Sequence, residues 1–181
     1  MAADSGMLHG STWGSPMTGE DRVPVTGEGR SSAPRTDEFG GVVGSGTGRT
    51  IRAAWRASSV GRVRHAIAED LRARGVSETI VEEAEIVTSE LLSNAIRHAR
   101  PLGDHAVRIR WKVKGDVVEV EVTDGGSTST PRPVSGAVWA LSGRGLRIVR
   151  SLAHEWGVSD SGPGVTVWAS LGGPSRRRAG S

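Results

Sequence analysis

The sequence contains no cysteine and no tyrosine, a single phenylalanine, and only two lysines, Lys112 and Lys114, among its 23 basic residues. Without cysteine there can be no disulfide, no thiolate metal site and no cysteine nucleophile. The scarcity of lysine excludes a P-loop, because no lysine follows a glycine-rich loop into a helix. A eukaryotic-type protein kinase is excluded by the chain's length and by its lack of that enzyme's motif set. Long apolar runs are missing as well. The longest, Ala137–Leu141, falls far short of the roughly 20 residues that a membrane-spanning helix requires. The opening Met1-Ala-Ala-Asp-Ser-Gly6 has neither the basic start nor the apolar stretch of a signal peptide. The expectation is a cytoplasmic protein with no membrane partner.

What is present is modest. The chain has 181 residues, 36% of them hydrophobic and 26 of them glycine, so one domain with a core along only part of its length is expected. A formal charge of +3 permits nucleic-acid binding without indicating it. No groove-reading motif or basic run occurs in the expected folded part, so no direct nucleic-acid partner is expected.

Residues 1–48 read as a disordered leader, rich in Gly, Ser, Thr and Pro and without an apolar period. Gly44-Ser-Gly-Thr-Gly48 lacks the spacing of a dinucleotide loop and reads as linker. Residues 172–181, with Arg176, Arg177 and Arg178, read as a basic disordered tail. The folded part is expected over residues 49–171. A short strand over Thr50–Ala57 leads into a helix capped by Ser58 or Ser59 and closed by Gly75, and Ser77 caps a longer helix reaching about Ala99. Val107, Ile109, Trp111 and Val113 alternate with basic residues. After a tight turn at Gly115-Asp116, Val118, Val120 and Val122 alternate with Glu119, Glu121 and Thr123, which predicts a half-buried hairpin. Gly125–Ser142 has no sustained period and reads as a lid. A short helix from about Gly145 and strands over Glu155–Ser159 and Val165–Leu171 complete the pattern. The fold class is α+β, a two-layer sandwich in which helices cover one face of a mostly antiparallel, mixed sheet.

The long helix carries the first chemistry. At about 100° per residue, Ile80, Ala84, Val87, Leu91 and Ala95 share one stripe, with His98 inside it, Asn94 at its edge and Glu90 just beyond. A carboxylate and an amide one turn apart against a core require partners, and a ligand is one source of them. Asp124 continues the inward phase of Val118, Val120 and Val122 at a strand's end, where a ligand amino group would satisfy it; it is also a common opener for the turn at Gly125-Gly126. Gly143-Arg-Gly-Leu146 opens a helix, and a glycine-bearing helix N-terminus suits phosphate.

In order, Glu90-x-x-x-Asn94, Asp124-x-Gly126 and Gly143-x-Gly145 after a lid resemble the boxes of the Bergerat-fold (GHKL) ATPases, the superfamily of histidine-kinase catalytic domains. Glu90-Leu-Leu-Ser-Asn-Ala-Ile-Arg-His98-Ala, Gly143-Arg-Gly-Leu-Arg-Ile-Val149 and Thr166-Val-Trp168-Ala resemble, more narrowly, the bacterial anti-sigma-factor serine kinases. The resemblance covers about residues 50–171 and implies ATP and Mg²⁺ as cofactors. Asn94 would hold the metal that bridges the phosphates. Asp124 would hydrogen-bond the adenine amino group, Gly126 would approach the nucleotide, and Thr166 would support the adenine end. Gly143 and Gly145 would cradle phosphate with their backbone, Leu146 belongs to the same box, and Arg144 would lend charge. Glu90 would be the catalytic general base, acting on a serine hydroxyl of a partner. His98 would pack and hydrogen-bond beneath the site rather than ligate metal. The implied partners are an anti-sigma-factor antagonist, a sigma factor, or both, with a homodimer also within the family's habit. A nucleotide-binding interaction module without phosphotransfer is the alternative. Ala140-Leu-Ser142 stand where relatives often carry an acidic residue.

Overall fold

In β2 (Ala106–Lys114) the expected inward residues Val107, Ile109 and Trp111 are fully buried, while Arg110 and Lys114 are exposed. β3 (Val117–Asp124) returns antiparallel, with Val118, Val120 and Val122 buried on the same side. On the other side Lys112 Nζ donates to Glu119 Oε1 at 2.9 Å and to Glu121 Oε1 at 2.8 Å. These residues remain partly solvated, so such pairs add little stability. A computed structural model of the chain describes residues 35–126, 144–160 and 164–173. Residues 1–34, most of the expected lid (127–143), the turn at 161–163 and the tail from 174 lie outside the described residues.

β1 (Gly48–Ala54) pairs with β2, and the hairpin of β4 (Glu155–Ser159) with β5 (Val165–Gly172) joins the far side of β3 through β5. The order is β1-β2-β3-β5-β4. Every adjacent pair is antiparallel, which corrects the expectation of a mixed sheet. β3 and β4 do run the same way, but β5 lies between them and removes the parallel ladder.

Among the described residues, three helices contribute to the core on one face. α1 (Ser58–Ala73) turns Val63, Ile67 and Leu71 inward, and α2 (Glu78–His98) turns Ile80, Ala84, Val87, Leu91 and Ala95 inward. α3 (Arg144–Leu152) adds the fully buried Val149. This spacing of three and four residues is what gives a helix a single apolar side.

The helix ends behave unevenly. Gly75, at φ 75°, lets α1 stop: its N–H donates to the Arg72 carbonyl at 3.0 Å and the Val76 N–H to the Leu71 carbonyl at 3.1 Å. Neither Ser58 nor Ser59 is the cap. Ala57 holds that position in helical geometry without a side-chain bond, because the Ser59 hydroxyl turns back to the Ala54 carbonyl at 2.7 Å. Ser77 holds the expected N-cap position of α2 with extended backbone, but its side chain makes no capping bond.

The folded part also starts earlier than Arg49. Residues 35–47 are described and carry contacts to α1 and β1: the Gly44 N–H donates to Asp70 Oδ1 at 2.7 Å, and Asp37 pairs with Arg49. Composition misled here because the stretch is held by backbone and charge rather than by an apolar period.

Candidate nucleotide site

Glu90 and Asn94 lie one turn apart on α2, and both are half-buried beside the core stripe. α3 begins directly above them. A Cβ built on Gly145 would overlap the Glu90 Oε2 atom and stand 3.6 Å from Asn94 Nδ2. With Glu90 as it stands, a side chain at residue 145 would overlap its carboxylate, so the start of α3 and this pair are in close approach. The structure therefore brings Glu90, Asn94 and Gly145 together. Leu146, the next residue, is partly buried and packs against the core, which anchors the helix from its inner side. Arg144 is the first residue of α3. Gly143 lies outside the described residues.

Asp124 ends β3 with 6% of its surface exposed. Burial pushes its carboxyl above the ordinary aspartate value, opposed only in part by the Gly126 N–H, which donates to Asp124 Oδ1 at 2.8 Å. The two readings of this residue are thus both realised: it opens the turn, and it is a buried carboxylate on the helix-covered side. The turn is clamped to the end of α2. The Gly125 N–H donates to the Arg100 carbonyl at 2.8 Å, and the Arg100 N–H donates to the Gly126 carbonyl at 2.9 Å. Gly164, just before β5, fits against the Asp124 carbonyl so closely that a Cβ would overlap it.

One expected residue is placed elsewhere. His98, the last residue of α2, is exposed rather than packed beneath the site. The wheel gives its direction correctly, but the helix has by then run past the core that would cover it. Thr166 pairs in register with Thr123, and the two hydroxyls are 2.8 Å apart. Strand alternation puts that pair on the face opposite Val122. Its side chain is therefore engaged with Thr123, not with the Asp124 carboxyl.

The residues that sequence reasoning passed over are Arg100 and Gly164, which fix the Asp124 turn through backbone groups. Pro101 immediately after a helix and a glycine just before a strand were the only signals for them. Backbone-mediated support leaves no side-chain signature. As for metals, no group of three or more His, Cys, Asp or Glu side chains among the described residues could hold an ion unaided. The oxygen donors beside α3 are the Glu90 carboxylate and the Asn94 amide. Such a pair suits a hard cation that keeps most of its water and shares a substrate's phosphates.

Chemically, the arrangement offers a buried carboxylate acceptor at a strand's end, and a second carboxylate with an amide beneath a helix N-terminus. No helix among the described residues is long and apolar enough to cross a membrane. No curated protein matches this chain. The sequence family described as the histidine kinase-like ATPase domain matches residues 53–171. That span runs from the last residues of β1 into β5 and contains every box discussed above. Covering more than half of the chain, the match establishes that this protein belongs to the histidine kinase-like ATPase domain family.

Proposed function

We propose that this ATP-binding domain is a regulatory serine/threonine kinase whose substrate is a small anti-sigma-factor antagonist, and that it also acts as an anti-sigma factor. The observation that carries the reading is the seating of Gly145 on Glu90 and Asn94. A carboxylate, an amide and a helix N-terminus meeting at one point support a reading as a phosphoryl-transfer site.

The residues divide the work as follows. The buried Asp124 carboxylate accepts from the adenine amino group, and Gly126 leaves room for the ring. The start of α3 at Arg144 and Gly145 faces the phosphates with backbone N–H groups. Asn94 would hold Mg²⁺, which would supply positive charge against the phosphates when bound. Glu90 accepts the proton from a partner's serine hydroxyl as that oxygen bonds to the γ-phosphorus. The bond from the γ-phosphorus to the β,γ-bridging oxygen breaks, and ADP leaves. Positioning and electrostatics account for most of the acceleration in such transfers, and the base adds about 10²–10⁴-fold. Gly143 and Thr166 stay in the proposal as the family's nucleotide contacts.

The partner is a folded antagonist protein, a sigma factor, or both, met in the cytoplasm by a monomer or homodimer of this chain. The test is transfer from γ-labelled ATP, with the chain incubated with antagonist proteins from its own source. Phosphoserine on one antagonist, abolished by Glu90→Ala with ATP binding intact, is the expected result. ATP binding with no transfer to any antagonist, and an unchanged regulatory effect in Glu90→Ala, would replace the kinase by a nucleotide-binding interaction module.

A further inference from the structure

Buried charges on α1 and β1 find their partners in a segment that precedes the family match. Asp70 is fully buried; its Oδ1 accepts the Gly44 N–H at 2.7 Å, and its Oδ2 accepts from Trp111 Nε1 at 2.6 Å and Arg74 Nε at 2.7 Å. Arg74 in turn donates to the Ser45 carbonyl at 2.8 Å and to the Gly46 carbonyl. Arg49 lies over the Trp111 ring at 5.7 Å and pairs with Asp37, and each of the two side chains is only 7% exposed. Gly41 rests on that guanidinium so tightly that a Cβ would overlap it.

The segment is shaped for this seat. Asp37 Oδ1 accepts the Phe39 N–H at 2.9 Å, the Asp37 carbonyl accepts the Gly40 N–H at 3.0 Å, and Thr36 bridges to Val42. Glu38 accepts from Arg62 Nε at 2.5 Å, and the Arg62 guanidinium lies 5.5 Å from the Phe39 ring.

We propose that residues 35–47 form a clasp, a strap that docks the turn Asp37-Glu38-Phe39 on the arginines of β1 and α1 and opens separately from the domain it closes. Its composition argues for separate opening. Phe39 alone among its apolar side chains packs against the core, Val42 is 43% exposed, and glycines stand at 40, 41, 44 and 46. Ordering glycine costs more backbone entropy than ordering any other residue, with little apolar burial here to offset it. A segment with few buried apolar contacts opens at lower free energy than the core. What draws it shut is charge: open, it leaves Arg49 and Asp70 short of partners.

Amide hydrogen exchange on the full chain tests this. Val43 and Gly44, whose N–H groups bond to the Arg35 carbonyl and to Asp70, should exchange about 100-fold slower than coil, yet about tenfold faster than Ile109 and Val120 of the central strands. Asp37→Asn should speed the clasp amides by about tenfold while Ile109 and Val120 hold their rates. Coil-like exchange at Val43 and Gly44 in the unaltered chain would overturn the clasp. So would equal protection in clasp and central strands, or an Asp37→Asn variant that loosens or unfolds both together, because the segment would then belong to the core's own cooperative unit. The first comparison requires no variant, and neither comparison involves ATP.

Discussion

Asp124 sets stability against binding. Burial raises its carboxyl above the ordinary value, so its contribution favours the folded state at low pH and is lost as the pH rises through that raised value. Asp124→Asn should therefore raise the melting temperature at pH 7, with the gain vanishing at acid pH. The same change should cost about tenfold or more in ATP affinity, because a hydrogen bond to a charged group is lost. A melting temperature that falls at pH 7, measured by calorimetry, would contradict the burial argument. Asp70 behaves in the opposite way. Burial pushes its carboxyl up, but Arg74, the Gly44 N–H and the Trp111 indole together outweigh burial and hold it below the ordinary value. Its stabilisation is present at neutral pH and is lost as the pH falls through the lowered value. Asp70→Ala leaves the Arg74 side chain, 5% exposed, without its carboxylate and should cost about 3–5 kcal/mol in urea unfolding. At this scale the spacing of Glu90 and Asn94 and the phase of Asp124 were legible in the sequence, because periodicity fixes direction. Whether His98 would be covered, and which face Thr166 would take, depended on where α2 outruns the core and on the register of β5, and neither has a local signal.

The junction of α2 with α3 is the element on which the site depends. Gly145→Ala inserts a methyl group where the Glu90 carboxylate lies, and α3 must shift or Glu90 must swing away. Overpacking costs about 1–3 kcal/mol where the neighbours cannot give, and less here because the Glu90 carboxylate is the free end of a flexible side chain. ATP affinity should fall by about tenfold or more, since phosphate binding at a helix N-terminus depends on close backbone approach. Restoring space with Gly145→Ala/Glu90→Ala should recover stability without recovering phosphotransfer. A double variant no more stable than the single one, in thermal melts, would show that the two residues do not touch. The elements themselves were readable from alternation and helical spacing, and β2, β3, β4 and β5 stand within a residue or two of expectation. The caps were not. Ser59 found a nearer acceptor in the Ala54 carbonyl, and competition among short-range acceptors does not appear in a residue pattern.

The described residues form a helix-covered antiparallel sheet. α2 and α3 bring Glu90, Asn94 and Gly145 together, and the Asp124 turn at the end of β3 is clamped to Arg100 just past α2. Residues 35–47 close over Trp111, Asp70 and Arg49. The closeness of Gly145 to Glu90 and Asn94 joins two boxes that the sequence offered as motifs. The clasp was not foreseen, because a strap made of glycine, carboxylate and backbone bonds looks like linker until its arginine receptors are placed in space. The claim that Glu90, Asn94, Gly145 and the Asp124 turn belong to a single ATP site is tested most directly by calorimetric titration of Mg·ATP into the full chain and into Asn94→Ala and Asp124→Asn. The account predicts one binding event in the unaltered chain and its loss or severe weakening in both variants, with both still melting cooperatively. Binding unchanged in either folded variant would contradict it.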